Sequence, residues 1–218
     1  MNQENTTRRP LAIRQARWAG AMASWLTRRG AQPNHISIMS LICAALAGLF
    51  IILSTKVSAG VGIVLLILAG GCILLRGLCN MLDGMVAIEG GRQSKAGPIY
   101  NDVPDRFSDV IIFFCAGYAV QWLDWGRDLG WGVAVLAVLT AYIRLLGGAS
   151  GAAQDFSGPM SKTLRIYLMA LTCLLAAIEL GFGSQGKVIF ASLVIIGLGC
   201  ILTIGSRMRH IVTELMSK

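Results

Sequence analysis

The sequence predicts an all-α fold: a polytopic membrane protein of six transmembrane helices preceded by an N-terminal amphipathic interfacial helix. Three observations point there. Of 218 residues, 55% are hydrophobic and only 14% are charged, against about 45–50% and 25% in soluble domains. The apolar residues gather into six runs near the roughly 20 residues that a hydrocarbon core requires. The basic residues between those runs fall mainly on one side. A soluble enzyme, a secreted disulfide scaffold and an outer-membrane barrel are thereby excluded. With no linker or repeat, residues 1–218 form a single membrane-embedded domain, with 10–29 as the interfacial helix and 36–206 as the six-helix bundle.

Pro10 to Arg29 is the interfacial element. Pro10 suits a first helical position and Gly30 follows the end. Leu11, Trp18, Met22 and Trp25 share one face, while Arg14, Arg17 and Arg28 suit lipid headgroups. Pro33-Asn34-His35 stops this element, and Asn34 can cap the next.

The six runs lie near Ile36–Thr55, Val57–Ile88, Pro98–Leu123, Trp131–Gly148, Ser161–Phe182 and Lys187–Ser206. The second is too long for one vertical span, so its turns from Asn80 onward lie at or beyond the interface. The first is too long, and begins too far along, for a cleaved signal peptide.

Orientation follows from charge. Arg8, Arg9, Arg14, Arg17, Arg28 and Arg29 precede the first run; Arg92 and Lys95, Lys162 and Arg165, and Arg207, Arg209 and Lys218 fall on the same side. The other side holds only Lys56, Arg127 and Lys187. Both termini are therefore expected in the cytoplasm. The net charge of +8 is read as topology, with no nucleic-acid partner. Cys43, Cys72, Cys79, Cys115, Cys173 and Cys200 all sit in apolar stretches, without metal-site spacing, and read as packing residues.

The chemistry is expected between Arg76 and Asp109. Arg76, Asn80, Asp83, Asn101, Asp105, Arg106 and Asp109 interrupt otherwise apolar helices. A charge at mid-membrane costs about 2.5–3.5 kcal/mol, so five facing lipid would cost about 15 kcal/mol. They must line a polar cavity at the cytoplasmic ends of the second and third spans. Arg76, Asn80, Asp83 and Ala87 form one helical stripe; Asn101, Asp105 and Asp109 form another. Antiparallel helices joined by Glu89–Ala96 can turn the stripes together, converging Asn80, Asp83, Asn101 and Asp105 on one volume. All-oxygen donors suit Mg²⁺ or Mn²⁺, and such ions bind substrate phosphates. On spacing alone a metal site, a proton or cation path, and structural ion pairing all remain open.

These residues also carry a resemblance. The sequence is similar to the CDP-alcohol phosphotransferase family, whose signature is D-x2-D-G-x2-A-R-x8-G-x3-D-x3-D. Here Asn80-Met81-Leu82-Asp83-Gly84-Met85-Val86-Ala87-Ile88 is followed, at the same spacing, by Gly97-Pro98-Ile99-Tyr100-Asn101-Asp102-Val103-Pro104-Asp105. Asp83, Gly84, Ala87, Gly97 and Asp105 keep the signature identities. Asn80 and Asn101 replace aspartates, as in a bacterial subgroup resembling the family, and Ile88 replaces the arginine. An asparagine carbonyl can ligate a hard cation but brings no charge; Glu89, Asp102 or Asp109 could compensate, and Arg92 or Arg76 could substitute for the arginine, a role the sequence assigns to neither.

The resemblance implies a metal-dependent enzyme of phospholipid biosynthesis in the bacterial cytoplasmic membrane. It would transfer the phosphatidyl group of CDP-diacylglycerol to an alcohol and release CMP. Asn80, Asp83, Asn101 and Asp105 would hold Mg²⁺ or Mn²⁺, and Asp105 would also be the catalytic base. Gly84, Ala87 and Gly97 would admit the nucleotide, and Pro104 would loosen the helix and re-aim Asp105. Lys162 and Arg165, with Arg144 behind them, are candidates for a phosphate on donor or acceptor. His35 and His210 read as interfacial, and Glu179 as too far toward the outer side. Homodimers are the expectation from similar proteins. A catalytically weak relative that binds nucleotide or lipid, and a small-solute carrier, are the competing functions.

Overall fold

A computed structural model describes residues 17–91 and 96–218. Among these, seven helices follow one another: α1 (Arg17–Arg28), α2 (Pro33–Ser54), α3 (Ala59–Glu89), α4 (Gly97–Ala119), α5 (Gly126–Ala149), α6 (Lys162–Gly181) and α7 (Lys187–Met216). The all-helical expectation holds. Leu11 and Arg14 of the expected interfacial helix, and Arg92 and Lys95, lie outside the described residues.

Five helices, α2, α3, α5, α6 and α7, are long and apolar enough to cross a membrane. Together with their outward-facing leucines, isoleucines and valines, they make this a membrane protein. α4 is of similar length but carries Asp102, Asp105, Arg106 and Asp109 along its first half.

Several boundaries differ from the sequence reading. α4 stops at Ala119 rather than near Leu123 because the chain doubles back there. The Val120 carbonyl lies so close to Gly126 that a Cβ on Gly126 would meet it at 2.5 Å. α5 accordingly starts earlier, at Gly126. α7 runs beyond Ser206 to Met216, its last turns carrying Arg207, Arg209, His210 and Glu214. α6 begins as expected, with Ser161 as an N-cap whose hydroxyl accepts from Leu164 N, a bond typically worth about 1 kcal/mol.

Small residues set the packing. α2 lies against α3 and α4, α3 against α6, α4 against α5, and α5 and α6 against α7. Ala44, Ala47, Ala69, Ala116, Ala134 and Ala137 are almost fully buried at these contacts. In lipid, where apolar burial gives little drive, such residues let helix backbones approach closely. α1 docks on α3 in the same way. Its Ala19 and Ala23 are buried with Met81, Leu82 and Val86, while Trp18, Met22 and Trp25 face outward.

Alternating helix directions bring specific segments to one end of the bundle. These are the start of α2, the end of α3, the start of α4, the end of α5, the start of α6 and the end of α7. The buried polar residues are concentrated there. The opposite end holds Trp122 and Trp125 against Phe190, with ring centroids 5.3 and 5.7 Å apart, as in an interfacial aromatic girdle.

Candidate active site at the polar end of the bundle

The two stripes on α3 and α4 do face each other. Asn80 Nδ2 donates to Asp105 Oδ1 at 2.6 Å, and Asn101 Nδ2 donates to Asp83 Oδ1 at 3.0 Å. Asp83 and Asp105 are buried. Each asparagine is thus bonded to the aspartate of the opposite helix, joining the four residues into two cross-helix pairs.

α2 supplies groups that the sequence reading missed. Ser37 Oγ donates to Asp83 Oδ2 at 2.7 Å, and Ser40 Oγ donates to Asn80 Oδ1 at 3.3 Å. Both serines are buried. A visible signal existed, because two hydroxyls three residues apart mark one face of an otherwise apolar helix.

Asp105 is the most heavily engaged member. Lys162 Nζ, from the first turn of α6, bonds to its Oδ2. Arg76 Nη2 donates to its backbone oxygen at 3.3 Å and lies 3.7 Å from Oδ1. Arg106 Nη2 lies 3.7 Å from Oδ2. The helix passes through Pro104 without interruption.

Lys162 and Arg165 part company. Lys162 reaches the α3–α4 cluster, whereas Arg165 turns into the bundle. Arg165 Nη2 donates to Asp109 Oδ2 at 2.7 Å, and Nη1 donates to Thr140 Oγ1 at 3.1 Å and the Met160 carbonyl at 3.3 Å. Arg76 holds the other Asp109 oxygen at 2.8 Å. This correction has a simple cause. Arg165 lies one turn deeper along α6 than Lys162, level with Asp109 rather than Asp105, and the charge of Asp109 in a low-dielectric interior claims that guanidinium. Arg165 is therefore committed internally, as is Arg76, which does not stand at the place of Ile88. Ile88 itself is exposed.

A second layer closes the site from α5. Arg144 Nη2 bonds to both oxygens of Asp102 at 3.0 and 3.2 Å, and Nη1 donates to Gln154 Oε1 at 3.1 Å. Its guanidinium also stacks 5.0 Å over Phe156. The α5–α6 connection is fastened below by Arg207, whose Nε donates to the Ser157 carbonyl. Gly84, Ala87 and Gly97 are partly exposed at the rim. Glu179 lies at the other end, accepting from the Lys187 and Val188 amides at 2.9 and 3.1 Å. The six cysteines are free thiols, five of them buried.

The donor set fits a hard divalent cation of limited charge demand. Among the described residues no three His, Cys, Asp or Glu side chains come together to hold a metal. Two carboxylates with two amides are what the cluster offers. Both amides present NH₂ to the carboxylates, and a half-turn about each terminal bond puts a carbonyl oxygen in the same place. Oxygen-only donors suit Mg²⁺ or Mn²⁺ and disfavour softer metals.

No family model matches the chain. It is similar to the inner membrane protein YnbA of Escherichia coli, 26% identical over 154 residues, covering 71% of this chain and 72% of that protein. It is also similar to the archaetidylinositol phosphate synthase of Pyrococcus horikoshii, at 27% identity over 72% of this chain and 76% of the relative. The phosphatidylinositol phosphate synthase of Mycobacteroides abscessus is 24% identical, with 91% of this chain and 86% of the relative covered. Among solved structures, the Mycobacterium tuberculosis phosphatidylinositol phosphate synthase with CDP-DAG bound superposes with a TM-score of 0.73 at 19% identity, covering 90% of this chain and 94% of that one. The same enzyme in complex with manganese and citrate gives a TM-score of 0.74 at 18% identity, with 89% of each chain covered. The chain thus shares the fold of that enzyme, and its sequence relatives include a phosphatidylinositol phosphate synthase and an archaetidylinositol phosphate synthase.

Proposed function

We propose that this protein is a metal-dependent phosphatidyltransferase of phospholipid biosynthesis, which moves the phosphatidyl group of CDP-diacylglycerol to an alcohol and releases CMP. The observation that carries the reading is the pair of cross-helix bonds Asn80–Asp105 and Asn101–Asp83, beside Lys162, at one end of an apolar bundle. The sequence relatives and the shared fold support it.

Asn80, Asp83, Asn101 and Asp105 would hold Mg²⁺ or Mn²⁺. When bound, the ion neutralises the diphosphate and the departing CMP oxygen. Asp105 also serves as the base. Its carboxylate takes the proton of the acceptor hydroxyl as the new oxygen–phosphorus bond forms and the bond to CMP breaks. Ser37 and Ser40 orient Asp83 and Asn80 for these roles. Gly84, Ala87 and Gly97 form the rim that admits cytidine, the glycines allowing close backbone approach. Lys162, half-exposed, binds phosphate on the donor or the acceptor, and a phosphorylated acceptor is favoured for that reason.

In this reading residues 1–218 form one domain in the bacterial cytoplasmic membrane. α4 is the sixth span, its charges covered by Arg76, Arg144, Lys162 and Arg165 rather than by lipid. An even number of spans then returns both termini to the cytoplasm. α1 lies in the interface, its outward Trp18, Met22 and Trp25 in contact with lipid. The protein acts as a homodimer.

The test is direct. Purified protein is incubated with CDP-diacylglycerol, Mn²⁺ and a panel of alcohols and alcohol phosphates, and CMP is measured. CMP released with one acceptor supports the reading; no release with any acceptor overturns it.

A further inference from the structure

The charges buried around the site already balance. Asp83, Asp105 and Asp109 are matched by Arg76, Lys162 and Arg165, and the flanking Arg106 and Arg144 outnumber Asp102. A cluster that awaited a divalent ion would carry surplus negative charge. Among the described residues this one carries none. Inserting a doubly charged ion alone would add two positive charges to a low-dielectric site with no negative charge to spare, which is strongly disfavoured.

The three cations are not equivalent. Arg76 and Arg165 have side chains 2% and 3% exposed, and both are fixed on Asp109. Lys162 is 29% exposed, and its ammonium bonds to Asp105 Oδ2. That ammonium rides on a flexible four-carbon stem. Of these three it is the most exposed, and it can leave Asp105 without abandoning a second buried carboxylate, while Arg106, 3.7 Å from the same oxygen, stays between Asp105 and Asp102.

We propose that Lys162 is a built-in counter-ion that occupies Asp105 in the free protein, so that the divalent cation enters together with an anionic diphosphate rather than before it. The inference rests on the function proposed above and adds an order of events to it. The diphosphate brings the missing negative charge and offers Lys162 a new partner. Lys162 swings from Asp105 to a phosphate oxygen, and the freed Asp105 oxygen becomes available as a ligand. Lys162 is thus a positioning residue for Asp105, and the free site is guarded against divalent ions in the absence of nucleotide.

The experiment measures Mn²⁺ binding by electron paramagnetic resonance on the full-length protein in detergent, with and without CDP. Wild-type protein should bind Mn²⁺ weakly alone and on the order of tenfold or more tightly with CDP, as expected for placing one or two compensating charges nearby. Lys162→Met should bind Mn²⁺ alone on the order of tenfold more tightly than wild type and gain less from CDP. Lys162→Arg, which keeps the charge, should behave like wild type. Thermal melting shows that each variant is folded, and Lys162→Gln replaces Lys162→Met should the latter not fold. The proposal is overturned when the neutral variant binds Mn²⁺ alone no better than wild type, or when Lys162→Arg gains as much as Lys162→Met. Absence of Mn²⁺ binding in every protein, with CDP present, instead removes the metal site on which the proposed function depends.

Discussion

Arg165 on α6 places Nη2 2.7 Å from Oδ2 of Asp109 on α4. The other Asp109 oxygen is held by Arg76 of α3 at 2.8 Å, so one carboxylate ties three helices beneath the site. Removing one member of a buried ion cluster leaves charge uncompensated and typically costs about 3–5 kcal/mol. Asp109→Ala should therefore lower the thermal midpoint in detergent sharply. A melt indistinguishable from wild type would show that the clamp is not structural.

Asp105 sits 1% exposed among its polar partners Asn80, Lys162 and Arg76. Asp105→Asn preserves the shape but removes both the charge and the proton-accepting oxygen. CMP release should fall by about 10²–10⁴-fold, the usual worth of a positioned acid–base group. The melting temperature measured alongside separates lost chemistry from lost fold.

Ser37 Oγ stands 2.7 Å from Asp83 Oδ2. Ser37→Ala removes a bond worth about 1 kcal/mol and leaves Asp83 free to rotate. Mn²⁺ binding in the presence of CDP should weaken about fivefold, the equivalent of that bond, and titration of the variant against wild type checks it. Unaltered binding would mean that α2 plays no part in orienting the ligand.

Glu179 caps the first turn of α7 at the far end, accepting from the Lys187 and Val188 amides and from Ser184 Oγ. Glu179→Ala should cost about 1 kcal/mol, as lost caps do, and leave CMP release per folded molecule unchanged. The two measurements on one preparation test whether this glutamate is structural.

Gly117 of α4 and Gly130 of α5 bring backbone against backbone. A Cβ on Gly117 would lie 2.7 Å from the Gly130 Cα and 2.9 Å from the Gly126 carbonyl. No flexible side chain is there to give way. Gly130→Ala should cost about 1–3 kcal/mol, the range for overpacked interiors, read as a lowered melting midpoint.

The apolar runs and the polar stripes were legible in the linear order of residues, because both follow from local rules. A charge in hydrocarbon is costly wherever it occurs, and a 3.6-residue period assigns Asn80 with Asp83, and Asn101 with Asp105, to common faces without reference to any neighbour. The chain reversal at Val120–Gly126 was less visible, since it depends on a carbonyl fitting against a residue without a Cβ.

What the chain order determined by itself was which residues share a helical face and at which end of the bundle the chemistry lies. Which faces meet was decided only in three dimensions. Periodicity leaves the rotation of one helix against another undefined, and that rotation brought Ser37 and Ser40 to the aspartate–asparagine pairs. It also sent Arg165 inward to Asp109 while leaving Lys162 on Asp105. Buried charges take the nearest opposite charge that packing allows, and packing is a property of all the helices together.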